Sequence, residues 1–359
     1  MIGRLSPQAG RNIREASRDI SGVNETMASG LSLPLSRPWL LVVPLLLDLF
    51  LWLGIQVPIT RLTDPLGREM LARGGENGEL AADQIHTLGE AFRLNDVIGS
   101  MLPSVFGGLS RDNLFNLMWA TFAPALSSGI DRRDLADVWS RALGDIADPG
   151  SIGGIIGLAV VFFLASTLLT VAWRVPLALA MADRKLPATG VARYIVRAWI
   201  RFVSLIALVG IAGAIILVPV LLVAGLLLLV QVDLAALVSI FLVMLASVVA
   251  IYARFVLESI IVNDVGPITA LKRSATFSQT FFGPTVRFSL AAALLASGAL
   301  RLWDTVIDSP PGLPVAIVVN SFVGTGIAIA SMMFYYDRDR LIQKFAPVRS
   351  TNDQPQTPL

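Results

Sequence analysis

Asp48 is the residue in this chain best placed to do chemistry. It stands ten residues into an apolar run, residues 38–59, that is long enough to cross a membrane. An acid at that depth costs about 2.5–3.5 kcal/mol on insertion scales, so such residues mark function or a specific polar contact. Two readings stay open. The carboxyl can couple a proton or a substrate, or it can be hydrogen-bonded to Asn320 or to a Ser or Thr inside a helix bundle. Arg254 and Glu258 form the second constellation. They are four residues apart, which puts them on one helix face at pairing distance. With Lys272 and Arg273 they make a polar cluster expected at a cytoplasmic membrane interface. Basic residues there attract anionic headgroups by about 1 kcal/mol each.

The remaining chemistry is narrow. The chain has no Cys and a single His, His86. Thiolate nucleophiles, disulfides and imidazole clusters are therefore excluded. No catalytic set, metal site or cofactor is expected. The formal charge of +2 on 359 residues, with basic residues spread over loops, gives no reason to expect a nucleic-acid partner.

The elements that position these residues are membrane helices. Hydrophobic residues make up 55% of the chain and charged ones 15%, with a mean hydropathy of +0.71. Two apolar runs, residues 202–230 and 234–262, are separated only by Gln231-Val232-Asp233. Runs of about 18 or more apolar residues read as spans, and an open chain in lipid satisfies its backbone only as helix. An antiparallel hairpin follows. Each run of 29 residues would reach about 43 Å, past a hydrocarbon core of about 30 Å. Arg254, 20 residues after Leu234, is then expected at a headgroup boundary.

Four further spans are expected, at 38–59, about 152–182, 286–303 and 313–336. Together with the hairpin they predict an all-α, polytopic integral membrane protein with six transmembrane helices. Gly153 and Gly157 in the second span make a small-xxx-small pair that lets a neighbouring helix approach. Residues 1–37 read as a largely mobile tail, and 347–359 as a disordered one. Residues 60–150 carry 13 acids and 8 Arg and read as a helical extracytoplasmic cap between the first and second spans. Residues 151–346 form the five-helix membrane domain. Its two connectors, 183–201 and 263–281, are expected to be short amphipathic helices on the inner surface. In both, a Pro (Pro187, Pro267) precedes an Arg (Arg193, Arg273) by six residues, so a duplicated unit is one reading and chance the other. The two tails and the two connectors hold 16 Lys and Arg. The positive-inside rule therefore places both termini in the cytoplasm.

The stretch Glu258-Ser-Ile-Ile-Val-Asn-Asp264-Val-Gly266-Pro267-Ile-Thr-Ala270-Leu271-Lys272-Arg273-Ser274, with the later Tyr335-Tyr336-Asp337-Arg338, resembles a bacterial family of six-span proteins. That family is the membrane domain accompanying some glycerophosphodiester phosphodiesterases, together with stand-alone relatives of unknown function. The likeness covers roughly residues 150–345, and the 60–150 insertion departs from it. It implies a bacterial inner-membrane location. It does not import a phosphodiesterase, whose barrel needs about 250 residues and whose chemistry needs several histidines. The expected function is therefore that of a non-catalytic multi-pass protein, organising the envelope or supporting a partner, set among anionic headgroups of the lipid bilayer. The alternative is a transporter or lipid-handling protein that uses Asp48.

Overall fold

The computed structural model describes residues 22–53, 60–73, 78–79, 82–83, 152–181, 187–229, 248–249, 251–306 and 312–345. Among them every regular element is helical: α1 (Val23–Ser36), a 3-10 turn (Pro38–Leu41), α2 (Val42–Leu53), α3 (Thr60–Arg73), α4 (Ile152–Met181), α5 (Ala188–Leu229), α6 (Val256–Asn263), α7 (Pro267–Thr280), α8 (Phe282–Val306) and α9 (Gly312–Phe345). Three described stretches are long and apolar enough to cross a membrane: Ile156–Leu179, Thr189–Gly213 and Pro314–Phe345. A fourth is reached if the bent pair Val23–Ser36 and Pro38–Phe50 is counted as one span. The all-α membrane character expected from the sequence is thus present. The proposed cap falls outside the described residues except for α3 and two short pieces, as do His86 and the last tail.

The first departure from expectation is at the start of the chain. Residues 23–36 are not a mobile tail; they form a helix packed along α9. Its N-terminus is closed by Glu25, whose Oε2 accepts from the Gly22 N–H at 3.0 Å, a reach-back that satisfies an otherwise orphaned donor. Pro38 then forces the chain to turn. The residue before a proline is kept out of the helical region, and Arg37 has φ −135° and ψ 71°. The two helical pieces meet at 98°. The carbonyl of Leu40 at this bend accepts from Trp173 Nε1 on α4 at 3.1 Å.

Small residues let α1 and α9 touch backbone to backbone. A Cβ at Gly30 would lie 2.6 Å from the Gly326 oxygen and 2.7 Å from the Ala330 nitrogen. A Cβ at Gly326 would meet Leu31 Cδ2 at 2.5 Å and Leu31 Cα at 3.1 Å. The close approach expected at Gly153 and Gly157 does not appear among the described residues: both are exposed, and none of those residues lies within 4 Å of a Cβ at Gly157. Gly326-xxx-Ala330 on the last helix is the pair that works.

Both connectors also differ from the expected surface helices. The first is continuous with the span that follows, in the single 42-residue α5. The second is a separate helix, α7, but it packs into the protein through Ala270, Ser274, Phe277 and Ser278. Ile268 and Lys272 are on its exposed side. Its task is visible just upstream, where the expected long helix of residues 234–262 is interrupted by a turn at Arg254-Phe255. Ser274 Oγ donates to the Tyr252 carbonyl at 2.7 Å and accepts from the Phe255 N–H at 3.2 Å. Ser278 Oγ donates to the Ile251 carbonyl at 3.1 Å. Two hydroxyls one turn apart on α7 thus satisfy the backbone opened by the break, which a low-dielectric interior demands.

The core falls into two clusters. One gathers Leu40, Leu47, Trp173, Val175, Leu177, Ile260, Ile317 and Met332 between α2, α4, α6 and α9. The other is aromatic and centres on Phe255 at the helix break. Its ring centroid is 4.9 Å from Phe277, 5.6 Å from Phe334 and 5.9 Å from Tyr335. Leu208, Ile211 and Ile215 on α5 point outward, as lipid-facing residues do.

Candidate functional site

Among the described residues, three groups of charged and polar side chains lie on or next to α6, at the end of the bundle where the two connectors lie. Glu258, on the first turn of α6, is 1% exposed. Its Oε1 accepts from Arg174 Nη1 on α4 at 3.1 Å and from Ser331 Oγ on α9 at 2.8 Å. One carboxylate therefore ties three helices. The break at Arg254-Phe255 is what aims it there, because an unbroken helix would carry Glu258 on the same face as Arg254. The expected i, i+4 pairing gives way accordingly. The Arg254 guanidinium lies 5.8 Å from the Phe255 ring centroid and within electrostatic reach of Glu258 and Arg174, while the bonds of Glu258 go to the other two helices. Lys272 is exposed and Arg273 half-buried on α7, and the hydrogen bonds of Glu258 go to neither of them.

A second clamp lies one to two turns further along α6. Asp264 ends that helix in the left-handed region, φ 49° and ψ 42°, a conformation Asp tolerates better than most residues. Its carboxylate accepts from Arg197 at 3.3 Å and from Arg201, both on α5. Tyr194, on the same face of α5, donates to the Ile261 carbonyl. The two connectors, which look alike in sequence, are thus bound to one another.

A third group joins α6 to the last helix. Asn263 Nδ2 donates to Tyr335 Oη at 2.9 Å and to Asp339 Oδ2 at 3.0 Å. Gln343 Nε2 donates to the same Asp339 oxygen at 2.6 Å. Arg338 lies 3.8 Å above the Phe334 ring. The helix carrying these residues runs to Phe345, past the expected end of the sixth span.

Asp48 is completely buried in α2 and is engaged in an interaction of its own. Asn320 is half-buried on α9. Between them in character are Ser321 and Thr325, both fully buried on α9 with hydroxyls that have no hydrogen-bond partner among the described residues. No family model, curated protein or solved structure matches this chain.

Sequence reasoning missed Arg174, Asp264 with its two arginines, and the Ser274/Ser278 pair. Arg174 had a signal: it is the one charged residue in α4, and a lone charge in a span calls for a named partner. Ser274 and Ser278 had none, because only the helix break gives them a purpose.

Proposed function

We propose that the chain is a non-catalytic multi-pass membrane protein that acts as a scaffold in the envelope, holding a partner or organising its surroundings. The observation that carries this reading is the use made of the buried charges. Glu258 joins α4, α6 and α9, and Asp264 joins α6 to α5. These groups brace one helix against another, as expected of a rigid support. In the full arrangement six spans cross the membrane, both termini are cytoplasmic and residues 60–150 face outward. Single Cys probes at Ser128 and Ser350 test that topology in a chain that has no Cys of its own. An impermeant thiol reagent added to intact cells is expected to label position 128, and position 350 only after lysis. Labelling of both from one side would sink the arrangement.

The second reading, a transporter or lipid-handling protein, is favoured by one observation: the burial of Asp48 in a helix able to lie in the membrane. Asp48→Asn separates the two. Asn keeps the hydrogen-bonding shape without the titrating proton, so the scaffold reading expects unchanged thermal stability and full complementation of a deletion strain. Loss of complementation or of solute uptake at unchanged stability would overturn the scaffold and leave proton or substrate coupling.

A further inference from the structure

The break at Arg254-Phe255 is not imposed by the residues around it. Residues 234–265 contain neither Gly nor Pro, and a sharp break without either calls for a side chain inserted into the backbone ladder. Two are inserted here, both from α7. In an unbroken helix the Phe255 N–H would donate to the Ile251 carbonyl, four residues back. Instead the N–H donates to Ser274 Oγ, and that carbonyl accepts from Ser278 Oγ. Phe255 itself takes φ −110° and ψ 18°. Its ring packs edge-on against Phe277, which stands between the two serines on α7. Three uncharged side chains of one helix thus hold the break.

The charges beside the break suit its closure. Arg254 and Glu258 are four residues apart, the spacing at which a continuous helix pairs them. The bonds of Glu258 go to Arg174 and Ser331. The Arg254 guanidinium lies 5.8 Å from the Phe255 ring centroid, within electrostatic reach of the carboxylate it does not hold. Closing the helix would bring that guanidinium onto Glu258 and return the Phe255 N–H to Ile251. Beyond the break α6 is anchored to α5 through Asp264 and to α9 through Asn263, so residues 251–254 are the part that swings.

We propose that residues 251–258 form a two-state hinge, held bent by α7 and closing into a continuous helix, with Arg254 on Glu258, when α7 withdraws. Both arrangements satisfy the Phe255 N–H, the condition for two discrete packings rather than continuous flexing. α7 is the lever. It starts at Pro267, and Ile268 and Lys272 face outward from it, so a contact made on that outer side acts on the break. The hinge gives a scaffold two shapes or a transporter two states, and depends on neither reading.

The test is double electron–electron resonance on the full chain in nanodiscs, with spin labels attached at Val249→Cys and Ile268→Cys. Both positions are exposed, they lie on either side of the break, and the chain has no Cys to compete. The bent hinge is expected to give one dominant distance. Ser274→Ala/Ser278→Ala should raise a second, discrete distance at least about fivefold, the population shift that loss of one net hydrogen bond brings. Adding Arg254→Gln to that variant should remove most of the second distance, because the closed helix then lacks its ion pair. Serines that only support local packing would give no such reversal. Arg174→Met, which takes away the competing guanidinium, should raise the same second distance with both serines in place, and it carries the test if the serine variant does not fold. Circular dichroism and elution volume report the fold. A single unchanged distance in the folded serine variant overturns the proposal, as does a featureless broadening or a second distance indifferent to Arg254→Gln. So does an Arg174→Met protein that shows the wild-type distance alone.

Discussion

Gly30→Ala is expected to loosen α1 from α9 and to destabilise the protein by about 3 kcal/mol, the upper part of the range for overpacking. One methyl is enough because its neighbours are main-chain atoms. The Gly326 oxygen and the Ala330 nitrogen lie 2.6 and 2.7 Å from the new carbon, and neither moves without moving its helix. Gly326→Ala is expected to cost less, because its nearest contact is the end of a flexible side chain, Leu31 Cδ2 at 2.5 Å. Gly157→Ala is the control. No described residue lies within 4 Å of its Cβ position, and alanine in a helix gains about 1 kcal/mol over glycine. Melting temperatures in detergent should fall in the order Gly157→Ala, wild type, Gly326→Ala, Gly30→Ala. Proteolysis between residues 23 and 36 should accelerate only in the last two. A Gly30→Ala protein with wild-type melting and wild-type cleavage would mean that α1 does not pack as described.

The ends of the chain show how far a sequence can be read. Apolar length gave the spans near 152–182 and 313–336, because the requirement to cross hydrocarbon is written into each segment alone. Residues 23–36 are too polar for that rule, so they read as tail. Their packing depends on Gly30 meeting Gly326 and Ala330, three hundred residues away, and no local pattern records such a meeting. The long run 234–262 failed in the opposite way. It is apolar apart from Arg254 and Glu258, and no Gly or Pro within it announces a break at Arg254-Phe255. The break is stable because Ser274 and Ser278 from the next helix satisfy the opened carbonyls. Local composition therefore marks segments apolar enough to cross a membrane, while the break at Arg254-Phe255 depends on polar contacts from another helix.

The same division applies to the candidate site. Glu258 was legible as a charge at the end of an apolar run. Its partner was not, because helical spacing favours Arg254 and only the break turns the carboxylate toward Arg174. Asp48 was legible as a buried acid, and its burial is observed. The second connector was legible as a helix begun by Pro267, a residue suited to the first turn. Its packing into the protein rather than onto the membrane surface was not legible, because Ser274 and Ser278 count as polar when their bonds to the break are unknown.

Glu258→Gln is expected to be the most disruptive single change among the charged residues, at about 3–5 kcal/mol, the cost of breaking a buried ion pair from one side. The loss comes from what stays behind. Arg174 Nε is already buried without a hydrogen-bond partner among the described residues, and its Nη1 would lose the charge it faces at 3.1 Å. Ser331 would keep an acceptor in the Gln oxygen, so the neutral bond at that corner survives and the charge is the quantity removed. Arg174→Met should cost less than Glu258→Gln, because Arg254 remains within electrostatic reach of the carboxylate. The double variant Arg174→Met/Glu258→Met should recover much of the loss, since replacing both members of a buried pair with well-packed apolar side chains is often neutral or better. Melting temperatures of Arg174→Met, Glu258→Met and this double variant, set against the wild type, complete a cycle. A coupling energy near zero, or a Glu258→Gln protein as stable as the wild type, would show that α4, α6 and α9 are held by their apolar faces alone. A double variant that is stable but fails to complement a deletion strain would instead show that this pair serves function rather than folding.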